Sequence, residues 1–251
     1  MIIKKSAEQI EKMYRAGQVL AEVMVELKPL IVPGAILKDI DAQAERSIRL
    51  RGGVPSFLGY RGFPASICAS INDVVVHGIP DERALKPGEV LALDCGLILD
   101  GWHADNAYTY GIGTIDPQAQ LLLDITQASL EAAIEQCKPG NHLGDVGYAV
   151  QKVAEDAGFF VVREYAGHQI GRSMHEGDVQ VPNYGKPGRG IVLEPGMVFA
   201  VEPMINSGTW QTRLLDDGWT VVTMDGSLSA HFEHTVAITE HGPRVLTALQ
   251  S

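Results

Sequence analysis

The chain has 251 residues, of which 45% are hydrophobic, and this length and composition predict a folded protein with a sizeable core. Its formal net charge of −11, without any block of Lys or Arg, argues against nucleic acid as a substrate. No apolar run reaches the roughly 20 residues that cross a bilayer, and no signal peptide follows Lys4 and Lys5, so we expect a cytoplasmic protein without membrane contact.

The first two elements in chain order are predicted helices. Ser6 and Gln9 have the spacing of a capping box, and apolar residues recur at helical spacing from there to Leu27. A second helical pattern covers residues 36–50 and ends before the glycine pair at 52–53. Both patterns predict helices with one apolar face.

The stretch LALDCGLILDGWHAD, residues 91–105, predicts a β-hairpin. Its Asp-Gly pair at 100–101 is a strong signal for a two-residue turn, and strand-like runs flank it on both sides. Counting outward from the turn pairs Asp94 with Ala107 and places Asp105 opposite a glycine on the same face.

Asp94 and Asp105 are therefore expected as diagonal neighbours, with backbones about 7–8 Å apart and side chains within reach of each other. Two carboxylates on one buried face repel each other. They persist either by sharing a proton or by holding a cation, and further ligands would favour the cation.

The helix pair and the strand that carries Asp94 recur later in the chain. Helical patterns return at 118–137 and 142–158, and the P-G-x-V strand start before Asp94 returns before Glu202. The recurrence predicts an α+β fold in which two similar halves pack around a shared sheet with a cleft between them. We expect one catalytic domain over 1–251, with a pseudo-repeat at about 6–112 and 113–245.

Three further side chains are candidates for the same site. Glu202 and Glu233 stand in the strand-like runs MVFAVEPMI and LSAHFEHTVAIT, where an acid is costly, and His168 in EYAGHQIG adds a nitrogen donor. Four carboxylates and one imidazole are too rich in oxygen for a structural zinc site and too irregular for an EF-hand calcium loop. The set suits two divalent metal ions, drawn from Mn, Fe, Co and Zn.

In these residues and their context, the sequence resembles type I methionine aminopeptidases of the short bacterial form, which are M24 metallopeptidases. The segments INDVVVHGIPD, LALDCGLILDGWHAD, GHQIGRSMHE and GMVFAVEPMIN carry the resemblance, which extends over essentially the whole chain. It implies the pita-bread fold, with two pseudo-symmetric halves around a curved antiparallel sheet. It also implies a dinuclear metal site that activates water to remove the initiator methionine of nascent proteins when the second residue is small.

The resemblance also implies roles for individual side chains. Glu202 is expected to act as general base as well as metal ligand, His175 to stabilise the oxyanion, and His77 to bind the peptide beyond the scissile bond. The implied wall of the methionine pocket consists of Tyr60, Phe63, Cys68, Met174 and Trp219, with Phe57 as an addition.

Four positions depart from the usual pattern of that family. Gln169 stands where the family commonly has Gly, and Met174 stands where it commonly has Phe. Phe57 occupies a position where close bacterial relatives often have a small residue, and Phe63 one where they often have Tyr. None of these changes removes a ligand, so we expect them to affect the shape of the substrate pocket.

Two other functions are compatible with the same fold. A Xaa-Pro aminopeptidase or dipeptidase usually carries a separate amino-terminal domain, and we expect none here because the repeat begins by residue 6. A non-enzymatic binding module would normally have lost some of the acids. We therefore expect a monomeric enzyme acting on amino-terminal methionyl peptides, with the ribosome as a further candidate partner.

Overall fold

A computed structural model describes residues 2–249, which form four α-helices and fifteen β-strands. The helices are α1 Ala7–Leu27, α2 Leu37–Leu50, α3 Pro117–Gln136 and α4 Leu143–Asp156, with 3₁₀ turns at Lys28–Leu30 and Tyr60–Gly62. The strands are β1 Val54–Pro55, β2 Ile67–Ile71, β3 Val74–Val76, β4 Val90–Leu99, β5 Trp102–Gly111, β6 Phe160–Val161, β7 Ala166–His168, β8 Gln180–Pro182, β9 Val198–Val201, β10 Met204–Asn206, β11 Thr212–Leu214, β12 Val221–Thr223, β13 Ser229–His231, β14 Glu233–Thr239 and β15 Gly242–Val245.

Helix α1 begins at the predicted capping box, which the structure confirms. The Gln9 N–H donates to Ser6 Oγ at 3.3 Å, and the Ser6 N–H donates to Gln9 Oε1 at 2.9 Å. These two bonds satisfy amide groups that a helix start leaves unpaired. The face of α1 that includes Met13, Leu20 and Leu27 is fully buried, as its apolar spacing predicts.

The main sheet has seven strands, all paired antiparallel. Its path runs β1-β4-β5-β14-β15, with β2 added on β4 and β9 added on β14. Shorter antiparallel groups are β13-β10-β6, β11-β12-β3 and β7-β8. Helices packed on antiparallel sheets confirm the predicted α+β class.

Two hydrophobic clusters fill the space between helices and sheet. One joins α1 and α2 to the hairpin strands through residues such as Leu20, Ile40 and Leu93, and the other joins α3 and α4 to later strands through residues such as Leu122 and Phe199. The division of the chain into two pseudo-symmetric halves stays a prediction. None of the helices within residues 2–249 has the length and apolar character needed to span a membrane.

Candidate metal centre

The hairpin of β4 and β5 has the register that its turn residues predict. Asp100 and Gly101 have φ values of 51° and 75°, the left-handed conformation that a type I′ turn requires at both central positions. Asp94 pairs with Ala107, and Gly96 pairs with Asp105. The expectation that both acids project from one face of the hairpin is confirmed.

Glu233 reaches the same face through the pairing of β14 with β5. It lies opposite Ala107, which itself lies opposite Asp94, while Asp94 pairs on its other side with Cys68. Directly opposed residues in neighbouring strands share a face of the sheet. One cross-strand row therefore contains Cys68, Asp94, Ala107 and Glu233, with Asp105 two residues along β5.

His168 and Glu202 approach this face from β7 and from the end of β9. His168 Nε2 lies 3.8 Å from Asp105 Oδ2 and 3.6 Å from Glu202 Oε1. The other ring nitrogen, Nδ1, lies 3.3 Å from the carbonyl oxygen of Gln169. A proton on Nδ1 donated to that carbonyl leaves the Nε2 lone pair directed at the acids, as a metal ligand requires.

Three of the side chains are close enough to hold one ion. Asp105, His168 and Glu233 each offer a ligand atom, and these atoms lie within 4.8 Å of one another. All three are buried. The same cavity wall also includes Asp94 and Glu202, so the structure brings together all five side chains that the sequence indicated.

Burial strongly perturbs the ionisation of this cluster. It raises the pKa of Asp94 to about 7 and the pKa of Glu202 to about 8. For Asp105 and Glu233, burial and then the neighbouring carboxyl groups raise the pKa well above the usual carboxyl range. Burial lowers the pKa of His168 to about 3, which keeps its imidazole neutral. Four carboxylates ionise together here only when cations balance their charge.

The donor atoms fit divalent metal ions. Among the described residues, the buried oxygens Asp94 Oδ1, Asp105 Oδ1 and Glu233 Oε1 have no hydrogen-bond partner. Buried polar atoms are almost always paired, so three unpaired carboxylate oxygens on one face indicate that a cation is their partner. Carboxylates combined with one neutral imidazole suit first-row divalent ions.

His231 is a further member of the cluster that the sequence analysis missed. It is only 2% exposed, and its Nε2 lies 3.6 Å from Glu202 Oε2 without a hydrogen-bond partner in the described chain. Thr109 Oγ1 fixes its backbone by accepting from the His231 N–H at 2.9 Å and donating to its carbonyl oxygen at 2.7 Å. The available signal was the His-Phe-Glu alternation, which can place His231 on the same side as Glu233.

A cavity of about 200 Å³ opens over the acids. Its wall includes every side chain predicted for the methionine pocket, namely Phe57, Tyr60, Phe63, Cys68, Met174 and Trp219. Side chains on the wall that the sequence did not indicate are Arg61, Val76, Tyr165, Ala166 and Met204. The wall thus combines aromatic and sulfur-containing side chains with the five candidate metal ligands.

Gln169 differs from the sequence-based expectation. The sequence predicts that Gln169 affects the shape of the substrate pocket, but the Gln169 side chain is fully buried and lies outside the cavity wall. Its side-chain amide instead donates to the Ile3 carbonyl oxygen at 2.7 Å and accepts from the Ile3 N–H at 3.3 Å. A residue 166 positions away in the sequence thus determines where this side chain points. Phe57, Phe63 and Met174, the other three departures, do line the cavity.

Two further histidines lie on the cavity wall. His175 Nδ1 is 2.9 Å from the Tyr60 hydroxyl, and the His175 ring centroid is 4.0 Å from that of His168. His77 has a left-handed backbone, with φ 59°, and its ring stands edge-on to Trp219 at 6.2 Å. Burial lowers the pKa of His77 to about 4, so this imidazole is neutral at physiological pH.

Comparison with known proteins relates this chain to metallopeptidases. Residues 11–240 match the model of metallopeptidase family M24. A methionine aminopeptidase from Clostridium perfringens is 47% identical over 250 residues, covering all of both chains, and methionine aminopeptidase 1 from Bacillus subtilis is 47% identical, covering 98% of this chain and 99% of the relative.

Solved structures extend the same similarity. The methionine aminopeptidase from Rickettsia prowazekii superposes with a TM-score of 0.97 at 41% identity, covering 98% of this chain and all of the other. A prolidase from Pyrococcus furiosus superposes with a TM-score of 0.79 at 19% identity, covering 99% of this chain and 66% of the other, a likeness of fold alone. The predicted pita-bread fold is confirmed.

Proposed function

The chain belongs to metallopeptidase family M24, and from this membership we propose which of its residues carry out hydrolysis. Its activity is that of a methionine aminopeptidase, a metal-dependent hydrolase. One observation supports the residue assignments. Five side chains that can bind a metal lie on the wall of one cavity, and the rest of that wall is largely aromatic and sulfur-containing.

Asp94, Asp105, His168, Glu202 and Glu233 would hold the metal, and the number of carboxylates supports two divalent ions of the Mn, Fe, Co or Zn type. When bound, such ions lower the pKa of a water molecule and polarise the scissile carbonyl. Asp94, Asp105 and Glu233 lie in hydrogen-bonded strands and Glu202 directly follows β9, so the ligand set is largely formed before an ion enters.

Glu202 is the proposed general base. Its carboxyl group lies on the cavity wall between two imidazoles, with Oε1 3.6 Å from His168 Nε2 and Oε2 3.6 Å from His231 Nε2, a position from which it can exchange a proton with the reacting groups. It would take a proton during attack on the carbonyl and return that proton to the departing amine.

His175 is the proposed donor to the carbonyl oxygen of the scissile bond. When the Tyr60 hydroxyl donates to Nδ1, the proton of the neutral ring lies on Nε2. That N–H can donate to the oxygen as negative charge develops on it, which is stabilising mainly in the transition state. His77, which lies on the cavity wall beside Trp219, would hydrogen-bond the peptide beyond the scissile bond.

The remaining wall supports recognition of an unbranched thioether. Methionine is flexible and polarizable, and aromatic rings and sulfur atoms are favourable neighbours for its side chain. Tyr60, Phe63, Cys68, Met174 and Trp219 supply such groups, and Phe57 adds another ring. We further propose nascent polypeptides with a small second residue as substrates and a monomeric, cytoplasmic enzyme. Contact with the ribosome is a separate hypothesis.

The experiment is a peptide panel assayed with metal-stripped protein reloaded with Mn, Fe, Co or Zn in turn. We expect Met-Ala-Ser to be cleaved, norleucine to substitute fairly for methionine, and Lys or Glu at the first position to fail. Hydrophobic pockets discriminate one methylene by only about 1–3 kcal/mol, whereas burying a charge there costs more. Met-Leu-Ser tests the requirement for a small second residue.

Faster cleavage of Ala-Pro-Ser than of Met-Ala-Ser would replace the pocket assignment with proline-linked specificity. Failure of every metal to bind would favour the binding-module alternative. The Asp94→Asn variant is the matched control, because it leaves the aromatic wall unchanged while removing one ligand charge.

A further inference from the structure

The amino-terminal segment contacts the loop that carries two histidines of the site. We call residues 168–176 the histidine loop, since His168 lies at its start and His175 near its end. The Gln169 side chain forms two hydrogen bonds to the Ile3 backbone, at 2.7 and 3.3 Å, in the manner of a neighbouring strand. These bonds use both polar atoms of a side chain that solvent does not reach.

A buried ion pair makes a second connection between the same segments. Lys5 and Glu176 are 5% and 6% exposed, and Lys5 Nζ contacts Glu176 Oε2. Lys5 Nζ also donates to the Ile3 carbonyl oxygen at 3.2 Å, and the Lys5 N–H donates to the Gly196 carbonyl oxygen at 2.7 Å. We call Ile3, Lys5, Gln169 and Glu176 the amino-terminal clamp.

The clamp lies where the two ends of the histidine loop meet. The Glu176 N–H donates to the Gln169 carbonyl oxygen at 2.7 Å, and the Arg172 N–H donates to Glu176 Oε1 at 2.6 Å. Gln169 and Glu176 are thus hydrogen-bonded to each other and are both held by the amino-terminal segment. Met174 and His175, between these two residues, lie on the cavity wall.

None of the four clamp residues lies on the cavity wall. They do not contact the cavity directly, and the part of the wall that they can influence is the part supplied by the histidine loop. A loop fixed at its base has fewer conformations available, and an error of about 1 Å in a group that acts on the transition state can lower the rate by about 10²-fold. The neutral donor at Gln169 also avoids burying another charge close to His168.

We infer that Gln169 and the Lys5–Glu176 pair are positioning residues, which hold His175 in the orientation needed for hydrolysis. The inference rests on the proposed function, because it assigns a role within the same reaction. At the position of Gln169 the family commonly has glycine, and the inference assigns this glutamine a role in positioning the loop and none in selecting the substrate.

The test compares Gln169→Ala and Lys5→Met with Lys4→Met as the matched control. Lys4 is the adjacent residue in the chain, and it pairs with Glu194 on the surface, at 50% and 49% side-chain exposure. In fully metal-loaded protein at a temperature where all variants are folded, we expect kcat for Met-Ala-Ser to fall about 10- to 100-fold in both clamp variants. KM should change less than kcat, because a donor such as His175 acts mainly in the transition state. Lys4→Met should match the wild type, because an ion pair this exposed contributes little to the fold.

Two measurements separate positioning from ordinary loss of stability. Hydrogen exchange should show faster exchange of the Arg172 and Glu176 amides in the clamp variants, with the α3 amides unaffected. Gln169→Asn keeps a neutral amide with both the donor and the acceptor, on a side chain one methylene shorter, so its kcat should lie between those of the wild type and Gln169→Ala. This conservative variant also keeps the test usable if one of the larger changes does not fold.

Wild-type kcat in folded clamp variants, even with a lowered melting temperature, would overturn the inference while leaving the proposed function intact. Additive effects of Gln169→Ala and Lys5→Met on kcat would also contradict it, since two parts of one clamp should be coupled. If the wild-type protein did not cleave methionyl peptides at all, the proposed function would fail instead. The exchange experiment would still report whether the clamp orders the loop.

Discussion

Asp94 and Asp105 lie on one face of the β4–β5 hairpin and on the cavity wall. Each has a buried oxygen without a hydrogen-bond partner in the described chain, and the two are diagonal neighbours on adjacent strands. We expect Asp94→Asn and Asp105→Asn to lower metal stoichiometry and to reduce hydrolysis by at least about 10²-fold, because an amide supplies no negative charge to a cation. Metal analysis together with peptide hydrolysis checks this prediction. Full occupancy and activity in both variants would argue against the ligand assignment.

His231 allows a prediction that distinguishes two roles for one residue. Its Nε2 lies 3.6 Å from Glu202 Oε2, a position from which a ring N–H can restrict the orientation of that carboxylate. We expect His231→Gln, which retains a donor, to keep most of the turnover, whereas His231→Phe should lower kcat about 10-fold without changing metal content. If His231→Phe loses metal and alters the visible spectrum of the cobalt form, His231 is instead a ligand.

At the scale of an element, strand β4 depends on the absence of a side chain at Gly96. A Cβ there would lie 2.8 Å from Phe57 Cε1, 3.0 Å from Met174 Cε and 3.1 Å from Asp105 Oδ1. The strand therefore brings its backbone close to the pocket wall and to one ligand at the same point. The nearest atoms of Phe57 and Met174 lie at the ends of side chains that can move, so position 96 should tolerate a methyl group better than a branched side chain.

We predict that Gly96→Ala raises KM for Met-Ala-Ser several-fold, because Phe57 and Met174 must move into the cavity to make room. Gly96→Val should in addition lower metal content, since its larger side chain displaces Asp105. Steady-state kinetics and metal analysis of both variants check this prediction. Gly140→Ala is the control, because a Cβ at Gly140 has no atom within 4 Å; the residue has a left-handed φ of +90°, so this control shows the effect of backbone strain without a steric clash. Equal effects of Gly96→Ala and the control would contradict the steric argument.

For the whole molecule, the buried titratable groups predict how stability of the metal-free protein depends on pH. Carboxyl groups with a raised pKa, such as Asp94 at about 7 and Glu202 at about 8, contribute stability that is lost as pH rises through those values. Histidines with a lowered pKa, such as His168 at about 3, contribute stability that is lost only as pH falls below about 6.5. Of these two contributions to the pH dependence of stability, only that of the carboxyl groups operates above about pH 6.5.

We therefore expect the metal-free protein to become less stable between about pH 6.5 and pH 8, by about 1.4 kcal/mol per pH unit for each carboxyl group still titrating. A saturating divalent cation should reverse the trend, because it binds the ionised carboxylates of the native state only. Urea unfolding in chelator and in excess Mn across this range is the measurement. Stability that rises with pH in the chelated protein would show that the acids are not buried together without a cation.

The local sequence is sufficient to predict the hairpin and to single out candidate ligands. An Asp-Gly turn fixes the register of β4 and β5, and alternation along a strand then places Asp94 and Asp105 on one face. Acids in otherwise apolar strands are costly unless they have a partner, and this cost alone marks Glu202 and Glu233 as candidate ligands. The resemblance carried by these motifs supplies the fold and the reaction.

Only the tertiary structure decided where Gln169 and His231 point. Gln169 pairs with a backbone 166 positions away, and His231 approaches Glu202 across a boundary between sheets. Periodicity along a chain shows which residues share a face, but it does not show which distant surfaces meet, because that depends on how all the elements pack at once. The sequence by itself therefore determined the chemistry of the site, and packing determined what holds its histidines in place.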